Sequence, residues 1–215
     1  MRYQTLVFDL DGTISDPSVG IARSVNFALE SLGYETVDEG RVRPLIGPPL
    51  PALFGALAKG ASEESILDLV DKFRERYGSI GYSENKLYDD IPEVLFKLSS
   101  NGHRLGVCTG KRVDFAVRIL KMFGLGELFE FVSGGDVDID KKMQIAALIS
   151  EGLDPASSVL IGDRAGDVYA ARMHDIASTG VLWGFGDHQE IRESNPSHTA
   201  SHPGELPELF RAASE

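Results

Sequence analysis

Residues 6–13 read LVFDLDGT, and the rest of the fold follows from this string. Leu6, Val7 and Phe8 form a short apolar run closed by polar residues and Gly12, the pattern of a fully buried strand. Side chains alternate along a strand, so Asp9 and Asp11 point one way while Leu10 turns into packing. Further runs of the same kind are LGVCTG at 105–110, SVLIGD at 158–163 and STGVLWG at 178–184. Helical periods lie between them: Val113, Val117, Leu120 and Met122, then Ile145, Leu148 and Ile149. Gly102 and Gly124 stand where helix C-caps are expected. Strands alternating with helices imply right-handed crossovers, hence an α/β fold with a Rossmann-like parallel sheet flanked by helices.

The stretch 16–83 breaks that rhythm. It offers no clear strand but two helical stripes, Ile21, Val25, Ala28, Leu29 and Leu32, then Ile66, Leu69, Val70, Phe73 and Tyr77. Between them RPLIGPPLP at 43–51 reads as a stiff loop or broken turn. We therefore expect a catalytic core of residues 1–15 and 84–215 and an inserted helical cap of residues 16–83. Hinges are expected at 15–18 and 81–86. The tail from Ser194 reads as a loop, a short edge strand and a last amphipathic helix.

The 215 residues include 33 Asp+Glu against 21 Lys+Arg, a net charge of −12. That balance argues against a protein that grips nucleic acid or anionic lipid through charge. With 42% hydrophobic residues the chain is too apolar for intrinsic disorder. One cysteine can form no internal disulfide or thiolate metal site, which fits a reducing compartment. No apolar run approaches the ~20 residues of a membrane span, and MRYQTLVFDL lacks a basic-then-apolar signal pattern. A cytoplasmic protein is expected.

Asp9 and Asp11 sit at the carboxyl end of a strand, where open α/β sheets place their ligands. Alone they read equally as a solvated Asp-Gly turn. GDRAGDVYAAR adds Asp163 at the end of another strand and Asp167 four residues on. Singly, these fit a helix N-cap and a dipole-favoured first-turn acid. Four acidic groups at the ends of strands that can be neighbours repel one another without a hard cation, and an all-oxygen set suits Mg²⁺. Thr109 and Gly110 precede a helix, a hydroxyl and backbone N–H groups suited to an anion. Leu105 stands where a Walker loop needs glycine, and no G-x-G-x-x-G follows a strand. Lys141 and Lys142 open a helix, where a cation opposes the dipole, which hints at a nearby anion; the apolar stripe four and seven residues past Lys141 favours it slightly over Lys142.

DLDGT, Thr109, Lys141/Lys142 and GDRAGD, in that order, resemble the haloacid dehalogenase superfamily of phosphohydrolases. The helical insert resembles that superfamily's small cap. LIGPPL, ENKLYDDI and GVLWGFG are similar to its phosphoglycolate phosphatase-like branch. The resemblance implies a phosphatase acting on small organic phosphate monoesters, phosphoglycolate-like or nucleotide, through an aspartyl-phosphate. It implies Asp9 as nucleophile and Asp11 as general acid and base. Mg²⁺ would be held by Asp9, the Asp11 carbonyl, Asp163 and Asp167, and the phosphoryl group by Thr109, Gly110 and Lys141 (or Lys142). Cap residues Arg43, 47–50 and Asn85 are candidates for substrate contact, although a rigid cap loop explains Pro48 and Pro49 equally well. Pro often follows the family lysine and is absent here. A phosphosugar mutase and a non-catalytic module keeping the fold are the alternatives. A dehalogenase would need no acid at Asp11. A monomer or homodimer is expected.

Overall fold

Thr5–Phe8 is a strand of four buried residues, as its apolar run requires, and the sheet is built outward from it. The computed structural model describes residues 3–135 and 139–211. The first half of the chain forms β1 (Thr5–Phe8), β2 (Ser15–Asp16), α1 (Ser18–Ser31), α2 (Glu39–Val42), α3 (Leu50–Leu57), α4 (Glu63–Ser79), β3 (Lys86–Leu87) and α5 (Ile91–Ser100). The second half forms β4 (Arg104–Thr109), α6 (Val113–Met122), β5 (Phe131–Gly134), α7 (Lys141–Ser150), β6 (Ser158–Gly162), α8 (Ala165–Arg172), β7 (Ala177–Val181), α9 (His188–Ser194), β8 (His198–Ala200) and α10 (Leu206–Leu209). Short 3₁₀ turns link several of these.

The chain divides into two units, Met1–Ser15 with Leu87–Glu215, and Asp16–Lys86. The second crossing falls between Lys86 and Leu87, past the expected 83/84 boundary. Glu84 explains the shift: it pairs with Arg76 of α4 and Arg23 of α1, so the chain stays with the helical unit through that residue.

The larger unit carries a six-stranded parallel sheet in the order β5-β4-β1-β6-β7-β8. After β1 the chain fills β4 and β5 on one side, then returns to place β6 on the other. The order reverses around β1, so Asp9 leaves the sheet where doubly wound folds bind ligands. Val7, Cys108 and Leu160 face Ile145 and Leu148 of α7 and Ala170 and Ala171 of α8. Gly106 is glycine because a Cβ there would strike the Phe131 ring on the neighbouring strand. Gly102 and Gly124 take positive φ (88° and 70°), as expected of C-caps.

In the helical unit, α1 buries Ile21, Val25, Ala28 and Leu29, and α4 buries Leu69, Val70, Phe73 and Tyr77. Gly20 and Gly81 approach so closely that a Cβ on Gly20 would meet the Gly81 carbonyl. Phe73 stacks on Tyr77 with centroids 5.2 Å apart and takes Phe54 edge-on at 6.3 Å.

Some expectations fail locally. Residues 43–51 are not all loop, since Leu50 and Pro51 begin α3; Pro51 is tolerated because the first helical turn needs no N–H there. In α6 the buried stripe is Phe115, Ala116, Ile119 and Leu120, while Val113 and Met122 are 47% and 40% exposed. Leu32 lies past the end of α1 and is 38% exposed. Strand β5 went unrecognised, being a half-buried edge strand that ends in Ser-Gly. No helix among the described residues is long and apolar enough to cross a membrane.

Candidate active site

The carboxyl ends of β1, β4 and β6 carry Asp9 and Asp11, Thr109 and Gly110, and Asp163 and Asp167. β1 pairs with β6 in the register Phe8↔Ile161, and the Asp9 N–H donates to the Ile161 carbonyl at 2.8 Å. This ladder sets Asp9 beside the end of β6, where Asp163 follows Gly162. Asp163 is fully buried. Its Oδ1 accepts from the Thr13 hydroxyl at 3.3 Å, and its Oδ2 accepts from the Phe185 N–H at 2.8 Å. Asp167 sits in the first turn of α8, where its Oδ2 accepts from the Arg164 N–H at 3.0 Å. The N-cap of α8 is thus Arg164 rather than Asp163, while Asp167 stands in the first turn as expected and spends one oxygen on the Arg164 N–H.

The three carboxylates converge. Asp9, Asp163 and Asp167 are all buried, and each offers an oxygen within 4.8 Å of the others'. Three glycines make room for them. A Cβ on Gly12 or Gly184 would collide with the Asp163 side chain, and one on Gly162 with that of Asp167. Gly12 also has φ +90°, which suits glycine far better than other residues. Burial, then the charges of Asp9 and Asp167, push the Asp163 carboxyl up to about 7. Burial also drives Asp9 up to about 6, with Lys141 pulling it down and Asp167 and Asp11 adding to the rise. Buried carboxylates so placed need a cation, and a set made only of oxygen fits a hard divalent ion. The residues present therefore fit Mg²⁺.

Lys141 supplies the positive charge the protein itself brings. Asp140 caps α7 by accepting the Met143 N–H at 2.9 Å, which sets Lys141 at the first helical position. Its Nζ lies 3.0 Å from Oδ1 of Asp9 and also pairs with Asp167. Burial works against its charge, but Asp167 and Asp9 outweigh it and raise the affinity of the amine for its proton. Lys142 points elsewhere, pairing with Asp140 at 3.3 Å and 48% exposed. Of the two lysines left open by the sequence, the structure brings Lys141 to the acidic cluster.

Thr109 ends β4 next to β1 and is buried; its hydroxyl accepts the Lys111 N–H at 3.3 Å, and its carbonyl accepts from Gln144 at 3.1 Å. Gly110 is exposed at the head of the loop. The Asp11 carboxylate stands outside the three-carboxylate group, with its Oδ2 2.7 Å from Lys111. Sequence reading passed over Lys111, Thr13, Trp183 and Gly184. Lys111 directly follows Thr109-Gly110, a position that could have signalled it. Trp183, whose indole N–H donates to the Thr13 carbonyl at 3.0 Å, gave no such sign.

The model of one protein family, described as haloacid dehalogenase-like hydrolase, matches residues 6–181, from β1 through β7. The chain belongs to the haloacid dehalogenase-like hydrolases. Within this family it is 39% identical to a 5'-nucleotidase of Pseudomonas aeruginosa over 92% of this chain and 91% of that one. It is 32% identical to the tyrosine-protein kinase PtkA of Mycobacterium tuberculosis, covering 97% of this chain and 72% of that protein. Other haloacid dehalogenase-like relatives carry the name phosphoglycolate phosphatase, among them one of Vibrio parahaemolyticus that is 32% identical over 95% of this chain and 94% of its own. A crystal structure of a putative phosphatase from Clostridium difficile has a TM-score of 0.89 and 32% identity, covering 98% of this chain and all of that one.

Proposed function

We propose that this haloacid dehalogenase-like hydrolase is a Mg²⁺-dependent phosphatase that cleaves small organic phosphate monoesters through an aspartyl-phosphate on Asp9. The observation that carries the reading is the convergence of Asp9, Asp163 and Asp167 on one point, with Lys141 bridging Asp9 and Asp167. Mg²⁺ would be held by Asp9, Asp163, Asp167 and the Asp11 carbonyl, and would supply a fixed positive charge for the phosphoryl oxygens.

In this reading the Asp9 carboxylate attacks phosphorus in line, splitting one slow hydrolysis into two faster steps. Asp11 donates a proton to the departing ester oxygen, then takes one from the water that attacks the aspartyl-phosphate. Thr109, the Gly110 backbone and Lys141 hold the phosphoryl oxygens and offset the charge that builds in the transition state. Thr13 and the Phe185 N–H hold Asp163 in orientation, as partners of metal ligands do. Asp16–Lys86 would act as a cap that selects the leaving group.

The names of the relatives, 5'-nucleotidase and phosphoglycolate phosphatase, support a nucleotide or a small phosphorylated acid as substrate. We further propose a cytoplasmic setting, which a single buried free cysteine fits, and a monomer or homodimer. Release of inorganic phosphate from a panel of monoesters, with and without Mg²⁺, tests the reading. Metal-dependent release to water supports it. Transfer only to a tyrosine hydroxyl, or no release from any ester, contradicts it.

A further inference from the structure

Lys111 has no part in the chemistry above, yet its side chain is only 8% exposed and its Nζ lies 2.7 Å from Oδ2 of Asp11. Burying an ammonium is costly unless a well-placed carboxylate faces it, and here that carboxylate belongs to Asp11. The other oxygen, Oδ1, is buried and has no hydrogen-bond partner among the described residues. One oxygen of this carboxyl is thus tied down, and the other is without a partner among the described residues.

The loop that carries Lys111 is braced. The Gly135 N–H donates to the carbonyls of Thr109 and Lys111, at 2.8 and 3.0 Å. A Cβ on Gly135 would press on the Gly110 backbone, so the two loops fit only with glycine there. The Lys111 N–H closes the turn onto the Thr109 hydroxyl. β4 and β1 are neighbours in the sheet, so this braced turn stands beside the loop of Asp11.

We propose that Lys111 is a positioning residue: it clamps Asp11 through Oδ2 and presents Oδ1 as the single oxygen that exchanges protons during the reaction. The inference rests on the acid and base role assigned to Asp11 above. In the first step a proton passes from Oδ1 to the ester oxygen as the P–O bond breaks and the bond from Asp9 to phosphorus forms. In the second, Oδ1 takes a proton from water as water bonds to phosphorus and the Asp9–phosphorus bond breaks. Phosphate and the Asp9 carboxylate are released, and Asp11 regains its proton. A misplacement of about 1 Å costs on the order of 100-fold in rate when geometry is this demanding. Leaving groups that depart readily as anions need no proton, so the penalty must grow with leaving-group basicity.

The test measures kcat and KM for wild type, Lys111→Met, Lys111→Arg and Asp11→Ala at saturating Mg²⁺, across aryl phosphates of graded leaving-group pKa and one alkyl phosphate. Lys111→Met should lower kcat about 10–100-fold on the alkyl phosphate. Its loss on p-nitrophenyl phosphate should be slight, with KM and melting temperature near wild type. Lys111→Arg should recover most of that loss. A loss equal across the series, or one confined to KM, while Asp11→Ala keeps a steep dependence, overturns the role of Lys111 and leaves that of Asp11 standing. A flat Asp11→Ala series overturns both. Should Lys111→Met not fold, Lys111→Arg decides alone: its residual losses must track leaving-group basicity, and a flat series overturns the proposal.

Discussion

Lys141 reaches from the first turn of α7 to within 3.0 Å of Oδ1 of Asp9, which lies just past the end of β1, and pairs with Asp167 of α8 from the same position. One ammonium thus neutralises two carboxylates drawn from distant stretches of chain. Lys142, its neighbour, is spent on the surface with Asp140.

Lys141→Ala should therefore reduce turnover by at least about 100-fold, the scale of losing one preorganised charge at a developing oxyanion. Lys142→Ala should leave turnover near wild type and change stability by about 0.5 kcal/mol or less, as exposed sites do. Steady-state kinetics on both variants checks this; equal losses would contradict the geometry.

Asp9 and Asp163 give the metal-free protein a predictable pH response. Burial is the leading cause for each, and their folded values rise from 3.8 to about 6 and about 7. A group whose folded pKa is raised contributes stability below its unfolded value and loses it as pH rises through the folded one. The metal-free protein should accordingly lose stability from these groups between about pH 4 and 7. Mg²⁺, which binds only the ionised carboxylates, should raise the melting temperature more at about pH 8 than at about pH 5.5. Thermal melts with and without Mg²⁺ at the two pH values decide the matter.

Gly184→Ala should weaken the metal site without touching a ligand. Its Cβ would meet the Asp163 side chain and the Gly12 carbonyl. Displacing a ligand's support typically costs about 10–100-fold in metal affinity. A Mg²⁺ titration of phosphate release should show that shift, and an unchanged midpoint would count against the cradle.

In the helical unit, Glu84 takes two hydrogen bonds from Arg76, at 2.9 and 3.1 Å, and one from Arg23 at 2.8 Å. Arg76 is the main cause that holds the Glu84 carboxyl below its usual 4.5. With a depressed folded pKa, its contribution is present above about 4.5 and is lost as pH falls through the folded value. Glu84→Gln should destabilise this unit by about 1–2 kcal/mol at neutral pH, because Arg76 is left largely buried and unpaired. Denaturant melts at neutral pH and near pH 3 should show the difference shrinking in acid.

The parallel sheet was legible because β1, β4 and β6 are buried on both faces and so read as unbroken apolar runs. The helical insert was legible because α1 and α4 keep a clean stripe over several turns. β5 was not, since an edge strand half open to solvent needs no such run. Nor was the buried face of α6, where Val113 opens the helix 47% exposed and Met122 closes it 40% exposed. In the site, the acidic residues announced themselves by their position at strand ends. Lys111 did not, because a single lysine after a Thr-Gly turn is ordinarily a solvated charge. Its pairing with Asp11 depends on which strands are neighbours, a fact of topology rather than of local pattern.

If Asp9 is the nucleophile, it carries the phosphoryl group during turnover. Acid quenching of the Mg²⁺-loaded enzyme on substrate, followed by borohydride reduction and peptide mass spectrometry, tests it directly. Homoserine should replace Asp9 in a fraction of the protein, and none should form in Asp9→Asn, which should be inactive yet folded. Unmodified Asp9 together with retained phosphate release by Asp9→Asn would contradict it.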